Sequence, residues 1–499
     1  MIARWIAIFG SVFAAPVMVS AATPTTTAGG PPTNLVQALT EAYENNATLQ
    51  EQRANLRATD ENVPTALSGW RPTVSLSATA GHSSSTVKQN SEQLVPVGSS
   101  LVLQKTKVRS KQTGNPETGQ VTVSEPIYNG GKVIDETRQA KNSVYAARAQ
   151  LLAAEQAVFL NVVNAYVTVI TDSHVLALDQ NNQTVLARQL QATRDQFNVG
   201  EITLTSVAQA QASLAQAVEQ VAVAKGNLQI ARENFRQLVG EYPGDLTPPQ
   251  PLALPVKSKE EAAQAAVANN PNVVAAKFAD AAAKDAVDVA FSSLLPQVTL
   301  QASAFTEADP TGAGTSTKGG SVLGQLTVPL YQGGSEYAAI RAARAKEQQA
   351  FATILDQQRT AYAQATQAWE AFVASQAAIV STNVEIKANA IALDGTEREE
   401  IVGTRTTLDV LNAQQLLLNS QVQQVQNIAT LVNNSYTIAS AIGRLTATDL
   451  GLPVQQYDDL RYYNAVKYAG FGTGESADRD AGLAPDGTLL TATKPQTTP

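Results

Sequence analysis

The chain has 499 residues, no cysteine, two histidines, few aromatics and a formal net charge of -8. This composition excludes disulfides, a thiol nucleophile and a Cys/His metal centre. The lack of any basic block argues against a nucleic-acid partner.

At the start, Arg4, the apolar run 5–19 and the small residues Ser20, Ala21 and Ala22 read as a secretory signal peptide, residues 1–22. No later stretch stands out as a membrane-spanning helix. From there the chain is written twice, as a first repeat (23–240) and a second (259–443). "ENNATL" (44–49) matches "ANNPNV" (268–273), and "WRPTVSL" (70–76) matches "LLPQVTL" (294–300), both at a shift of 224. "EPIYNGGK" (125–132) matches "VPLYQGGS" (328–335), and "FNVGEITLTSV" (197–207) matches "EIVGTRTTLDV" (400–410), both at a shift of 203. The difference, 224 minus 203, places 21 extra residues between Leu76 and Glu125 of the first copy. Rigid elements resist insertion, so those residues are assigned to a polar loop.

Each repeat carries the same elements. A helical segment (about 35–68; about 259–293) leads into two strands that form a hairpin (about 73–127; about 297–330). Val74, Leu76, Ala78 and Ala80 alternate with Thr73, Ser75, Ser77 and Thr79, which marks a two-faced strand. A proline-free helix follows (about 132–196; about 335–399), at about 1.5 Å per residue a rod of roughly 100 Å. Leu152, Phe159 and Tyr166, and in the second copy Leu355, Tyr362 and Trp369, recur every seven residues, the spacing of helices that supercoil on neighbours. Gly200 and Gly403 end the rods as left-handed caps. Return helices (about 206–239; about 408–442) carry further seven-residue stripes, Val207, Leu214, Val221, Leu228 and Phe235 in the first and Leu411, Leu418, Val425, Val432 and Ala439 in the second. Each rod is then flanked by two shorter helices stacked end to end. Pro72, Pro126, Tyr128, Gly130 and Gly131 mark the junction of strand and rod, as do Pro296, Pro329, Tyr331, Gly333 and Gly334 in the second copy. A Pro-rich linker (241–258) joins the repeats, and a C-terminal segment (444–499) ends in a stretch, from about 470, with the composition of disorder.

Four amphipathic strands leave two open edges, which a bilayer does not tolerate. Three copies would supply twelve strands, enough for a closed barrel. The competing reading is a soluble periplasmic coiled-coil adaptor or scaffold, which explains the stripes but not the hairpins.

Over residues 34–445 the chain resembles the TolC family of outer-membrane channels. "VGTRTTLDVLNAQQLLLNSQ" (402–421) carries the strongest match, supported by "YNGGK", "YQGGS" and the two P-x-V-[S/T]-L runs. The resemblance implies a mainly α fold with a small β part: a trimeric, twelve-stranded outer-membrane β-barrel continued by a long periplasmic α-helical barrel. It implies a homotrimer in outer-membrane lipid, a periplasmic adaptor, and an inner-membrane ABC or proton-driven translocase. The function implied is a passive exit duct for type I secretion, multidrug efflux or both, without catalytic residues, metal or cofactor. It also places a gate at the turns. Arg405 matches a latch arginine, Asp409 a ring acid and Thr205 a first-turn partner, while Ser206, Glu400 and Asn412 stand where the best-known members have Asp, Tyr and Asp. Glu400 or Glu201 is the expected substitute partner of Arg405. The Thr406–Asp409 spacing also reads as an ordinary helix cap.

Overall fold

The computed structural model describes residues 30–309 and 314–480. The signal peptide, the tip of the second hairpin's loop and the end of the C-terminal segment lie outside them.

Helices α1 (Leu35–Asn45), α2 (Ala47–Asp60) and α3 (Asn62–Leu67) precede strand β1 (Thr73–Ala80). Strands β2 (Ser83–Val97), β3 (Ser100–Gly114) and β4 (Glu117–Asn129) lead into the rod α4 (Lys132–Asn198) and its return α5 (Leu204–Val239). The second repeat runs α6 (Lys259–Asn269), α7 (Pro271–Ser292), β5 (Gln297–Ala308), β6 (Ser316–Thr327), α8 (Ser335–Ile401) and α9 (Thr407–Ala441). Two short helices close the described chain, α10 (Asp459–Val466) and α11 (Glu475–Asp480).

The segments expected to be single helices before each hairpin are broken, and the repeated Asn-Asn motif does the breaking. Asn46 and Asn270 are extended residues whose side chains cap the next helix, accepting from the Thr48 and Asn272 amides at 3.0 Å in each case. The same side chains reach across to the return helices. Asn46 Nδ2 donates to the Leu238 carbonyl (2.9 Å) and Asn270 Nδ2 to the Ala441 carbonyl (3.0 Å). One carboxamide thus satisfies orphan groups at two helix ends, in both repeats. α1–α3 and α5 lie along α4, and α6–α7 and α9 lie along α8.

α4 forms the spine. By length and composition it is the one described helix able to cross a bilayer, against the expectation of none, yet half of its most apolar window is buried by protein. Phe159, Val162, Val163 and Tyr166 are fully covered and pack with Leu39, Leu49, Phe235 and Tyr436 at mid-rod. The linker crosses here. Tyr166 Oη donates to the Thr247 carbonyl (2.7 Å), and the Leu252 amide donates to Ser435 Oγ (2.9 Å). The C-terminal segment forms a belt that starts at this level, where Leu445, Ala447 and Leu452 join the same cluster, and climbs toward the strands: Arg148 pairs with Asp459 (3.3 Å), Tyr462 Oη donates to Glu61 (2.8 Å), and Arg71, next to β1, donates to the Ala469 carbonyl (2.7 Å). Residues 470–474 and α11, expected to be disordered, continue this belt as ordered chain.

β1, β4, β5 and β6 form one antiparallel sheet in that order. Its faces differ chemically. Val74, Leu76 and Ala78 stand opposite Val123, Val121 and Gly119, which oppose Ala302, Ala304 and Thr306. The other face carries Ser75, Thr122, Ser303 and Ser321 in one cross-strand row, with Ser303 and Ser321 bonded at 3.0 Å. The extra residues of the first hairpin are not a loop. β2 and β3 pair along their length as a second, two-stranded sheet, because Lys, Thr, Gln and Ser alternate well enough to pair without an apolar face.

At the junctions, Gly130, Gly131, Gly333 and Gly334 all have positive φ, between 68° and 86°, so the chain swings from strand to rod through two left-handed residues. A side chain at Gly130 would strike Leu295 Cβ at 2.7 Å. Pro126 and Tyr128 flank a β-bulge inside β4, Pro72 and Pro296 directly precede β1 and β5, and Pro329 and Tyr331 lie between β6 and Gly333.

Asn46→Ala or Asn270→Ala removes both a cap and a tie and lowers stability by about 1–3 kcal/mol each. The thermal midpoint of the detergent-solubilised protein measures this, and an unchanged midpoint would refute the tie. Asp60 is 1 % exposed, and burial pushes its carboxyl up to about 7. An unfolded Asp titrates near 4, about 3.9. The folded chain therefore binds the extra proton in between, and stability falls as pH rises from about 4 to about 7. Asp60→Asn raises the midpoint at pH above 7 and leaves it nearly unchanged near pH 4.

Candidate functional site

The rods end on matched turns. Gly200 (φ 82°) and Gly403 (φ 78°) take the left-handed conformation that lets the next amide reach back. Glu201 N–H donates to the Gln196 carbonyl and Thr404 N–H to the Glu399 carbonyl, each at 3.0 Å, 203 residues apart. These are the same Schellman bonds, so the two turns are structural copies.

Their chemistry differs. In the second turn, Thr406 and Asp409 form a full capping box: Asp409 Oδ2 accepts from the Thr406 amide (3.0 Å) and hydroxyl (2.9 Å), and the Asp409 amide donates back to Thr406 Oγ1 (3.3 Å). Those bonds, aided by nearby Arg405, hold the Asp409 carboxyl below its ordinary range, so it stays anionic in mild acid. The first turn lacks this box. Ser206 donates its amide to the Thr203 carbonyl (3.1 Å), and the Thr203 and Ser206 hydroxyls stand 3.5 Å apart. Thr205 beside them is exposed.

Arg405 does not reach the first turn. Its Nε donates to Glu399 Oε2 at 3.0 Å, within its own turn, in place of the expected Glu400 or Glu201. Glu400 serves a different link: its Oε2 accepts from Gln189 of α4 (3.4 Å), and its Oε1 is buried without a partner. Asn412 is exposed on α9. The structure therefore brings Arg405 and Asp409 together at one turn and leaves Thr205, Ser206 and Asn412 outside that constellation.

The contacts that hold the two helix pairs together were not anticipated. Gln414 of α9 donates to Asn182 of α4 (3.3 Å). Leu186, Leu190, Val207, Ala210 and Leu411 form a small apolar cluster drawn from α4, α5 and α9. Val207 and Leu411 were visible as stripe residues; their joining of two repeats was not. Between α5 and α9 runs a groove of about 620 Å³ lined by side chains such as Gln216, Gln220, Gln415, Asn419, Gln423 and Gln426. Among the described residues no group of His, Cys, Asp and Glu is placed to hold a metal.

The profile described as "Outer membrane efflux protein" matches residues 38–241 and again 262–444, one segment per repeat. The chain belongs to the outer membrane efflux protein family. It is 33 % identical over 443 residues to the outer membrane efflux protein BepC of Brucella suis, covering 88 % of this chain and 91 % of that protein. It is 27 % identical over 326 residues to the outer membrane protein TolC of Escherichia coli, covering 59 % and 63 %. The structure of the Campylobacter jejuni CmeC outer membrane channel superposes with a TM-score of 0.68 at 18 % identity, covering 88 % of this chain and 90 % of that one. Membership of this family makes the protein an outer-membrane exit duct of the TolC-like fold and sets aside the soluble scaffold. The four-stranded sheet is this chain's share of the barrel wall, its apolar face toward lipid and its Ser/Thr face toward the pore.

Asp409→Asn keeps an acceptor for the cap but removes the charge. Planar-bilayer recordings should show weaker preference for cations with the helix retained; unchanged selectivity would remove Asp409 from the mouth.

Proposed function

We propose that the protein works as a homotrimer whose three sheets close a twelve-stranded barrel, and that its rods continue as a hollow periplasmic stalk gated at Gly200 and Gly403. A periplasmic adaptor and an inner-membrane ABC or proton-driven translocase dock on that end and supply the energy. The duct has no chemistry of its own. The observation that carries this reading is the sheet: two-faced, four strands wide, and open along β1 and β6. α8 supports it. It buries only six of its 67 residues, against 23 in α4, and leaves Leu355 and Tyr362 exposed where a neighbouring copy would pack. The groove, rich in Gln and Asn and also lined by Asp179 and Glu219, suits a polar pore that passes varied cargo, small amphipathic molecules or extended polypeptide.

In this reading the gate opens by outward splaying of the α4–α5 and α8–α9 ends, which breaks the Gln189–Glu400 and Gln414–Asn182 links. The Arg405–Glu399 pair stiffens the turn that must move. Both partners are about half exposed, so the pair contributes at most about 1 kcal/mol, a shift of up to about fivefold in open population. Arg405→Ser and Glu399→Gln should each raise mean conductance in a planar bilayer, and the double variant should add nothing further. Additive effects, or none, would remove the latch.

A further inference from the structure

The first hairpin keeps one register well past the four-stranded sheet. Ala80 pairs with Glu117 and Ser83 with Gly114, residue numbers that add to 197 in each case, as they do for every β1–β4 and β2–β3 pair. The step between them is bridged in the same register by the Gly81 amide on the Pro116 carbonyl (3.1 Å) and by His82 with Asn115 (2.9 Å). Side-chain alternation therefore carries straight through. The side that bears Val74, Leu76, Ala78 and Ala80 toward lipid continues up the β2–β3 ribbon as Thr86–Lys111, Lys88–Arg109, Asn90–Lys107 and Glu92–Lys105. The pore side continues as Val87, Gln89, Ser91 and Gln93 with Ser110, Val108, Thr106 and Gln104, without a charge.

All five cations of the ribbon thus stand on the side that faces away from the pore, and all are exposed. Lys105, Lys107, Arg109 and Lys111 alternate along β3, giving a row of charges about 7 Å apart. Lys318 of β6 is opposite Thr306 on the same side of the sheet, at its outer end. The anions on this side are Glu92, already bonded to Lys105 (3.1 Å), Glu117 and, at the rod end of the sheet far from the ribbon, Glu125. The ribbon leaves the sheet at the end opposite the rods, so it stands on the outer face of the membrane. Its first cation lies six residues past Ala80, about 20 Å along the strand.

We propose that this outward face of the ribbon binds the phosphate groups of anionic lipid headgroups in the outer leaflet, tying the barrel's rim to the surrounding glycolipid. Rows of Lys and Arg form charge-assisted bonds to phosphate oxygens, and lipid is what lies beside the apolar side from which the row extends. A second copy of the ribbon is a poor occupant, because like charges would meet. Cargo is a poor one too, because the pore-facing side is neutral. The inference rests on the outer-membrane placement of the barrel.

The test uses the full-length protein in phosphatidylcholine nanodiscs doped with lipid A, either bisphosphorylated or dephosphorylated. The bisphosphorylated form should protect the bonds after Lys105, Lys107, Arg109 and Lys111 from trypsin and co-purify with the protein, and added salt should abolish both effects. Inorganic phosphate should not protect, which separates a headgroup site from a free-phosphate site. Replacing Lys88, Lys107, Arg109 and Lys111 by Gln should weaken retention of lipid A roughly fivefold per cation removed. An all-Arg ribbon should keep it. Single-channel conductance, measured on each variant, reports that the barrel has formed. A conducting wild type that retains lipid A no better than the Gln variant, or that is protected equally by the dephosphorylated form, overturns the lipid site alone. A wild type that forms no pore overturns the channel reading and the lipid site with it.

Discussion

A strand at the edge of a sheet has a row of amide and carbonyl groups with nothing to bond. Water can satisfy such a row; hydrocarbon cannot. In this chain β1 and β6 are edge strands of a sheet whose one face is Val, Leu and Ala. That apolar face belongs in lipid, and the edges then require further strands. The demand for closure shapes the rest of the chain. Duplication places two hairpins side by side in one molecule, glycine pairs turn each into a rod, and the surface of α8 stays bare for a neighbour.

Much of this is legible in the amino acids because it follows from periodicity and from residues with few conformational options. The rods show as proline-free runs with seven-residue stripes, and Gly200 and Gly403 mark their ends because almost no other residue adopts a positive φ at low cost. The trimeric barrel-and-stalk fold class and the outer-membrane exit duct were both expected and both stand. What stayed hidden depends on partners distant in the chain. The breaks at Asn46 and Asn270 are written in the repeated motif, but their meaning comes from carbonyls at Leu238 and Ala441. The β2–β3 ribbon escaped because its strands lack an apolar face; cross-strand pairing, not hydrophobic alternation, holds it. The partner of Arg405 escaped because Glu399, Glu400 and Glu201 lie within a few residues of the turns, and an exposed arginine's choice among them is a matter of rotamers.

The two repeats share a plan but carry different loads. α4 is covered by both stacks of short helices and forms the interior of the single chain. α8 meets its own stack and otherwise faces out. Near-identical geometry from diverged sequence follows from where the shared residues sit: at turns, caps and junctions, where geometry is demanding, while the surfaces between are free to specialise. The paired turns show the same division, with matched backbone bonds and a capping box in the second copy alone.

The linker between the repeats is bound at mid-rod, by Tyr166 to Thr247 and by Ser435 to Leu252, at the level where Leu445, Ala447 and Leu452 at the start of the C-terminal segment also pack. A girdle at the waist acts as a fulcrum. On the proposed gating, leverage applied at the turn end would pivot about that point, and the wall embedded in lipid at the other extremity would be spared the strain, so a lower mouth could open without loosening the seal above.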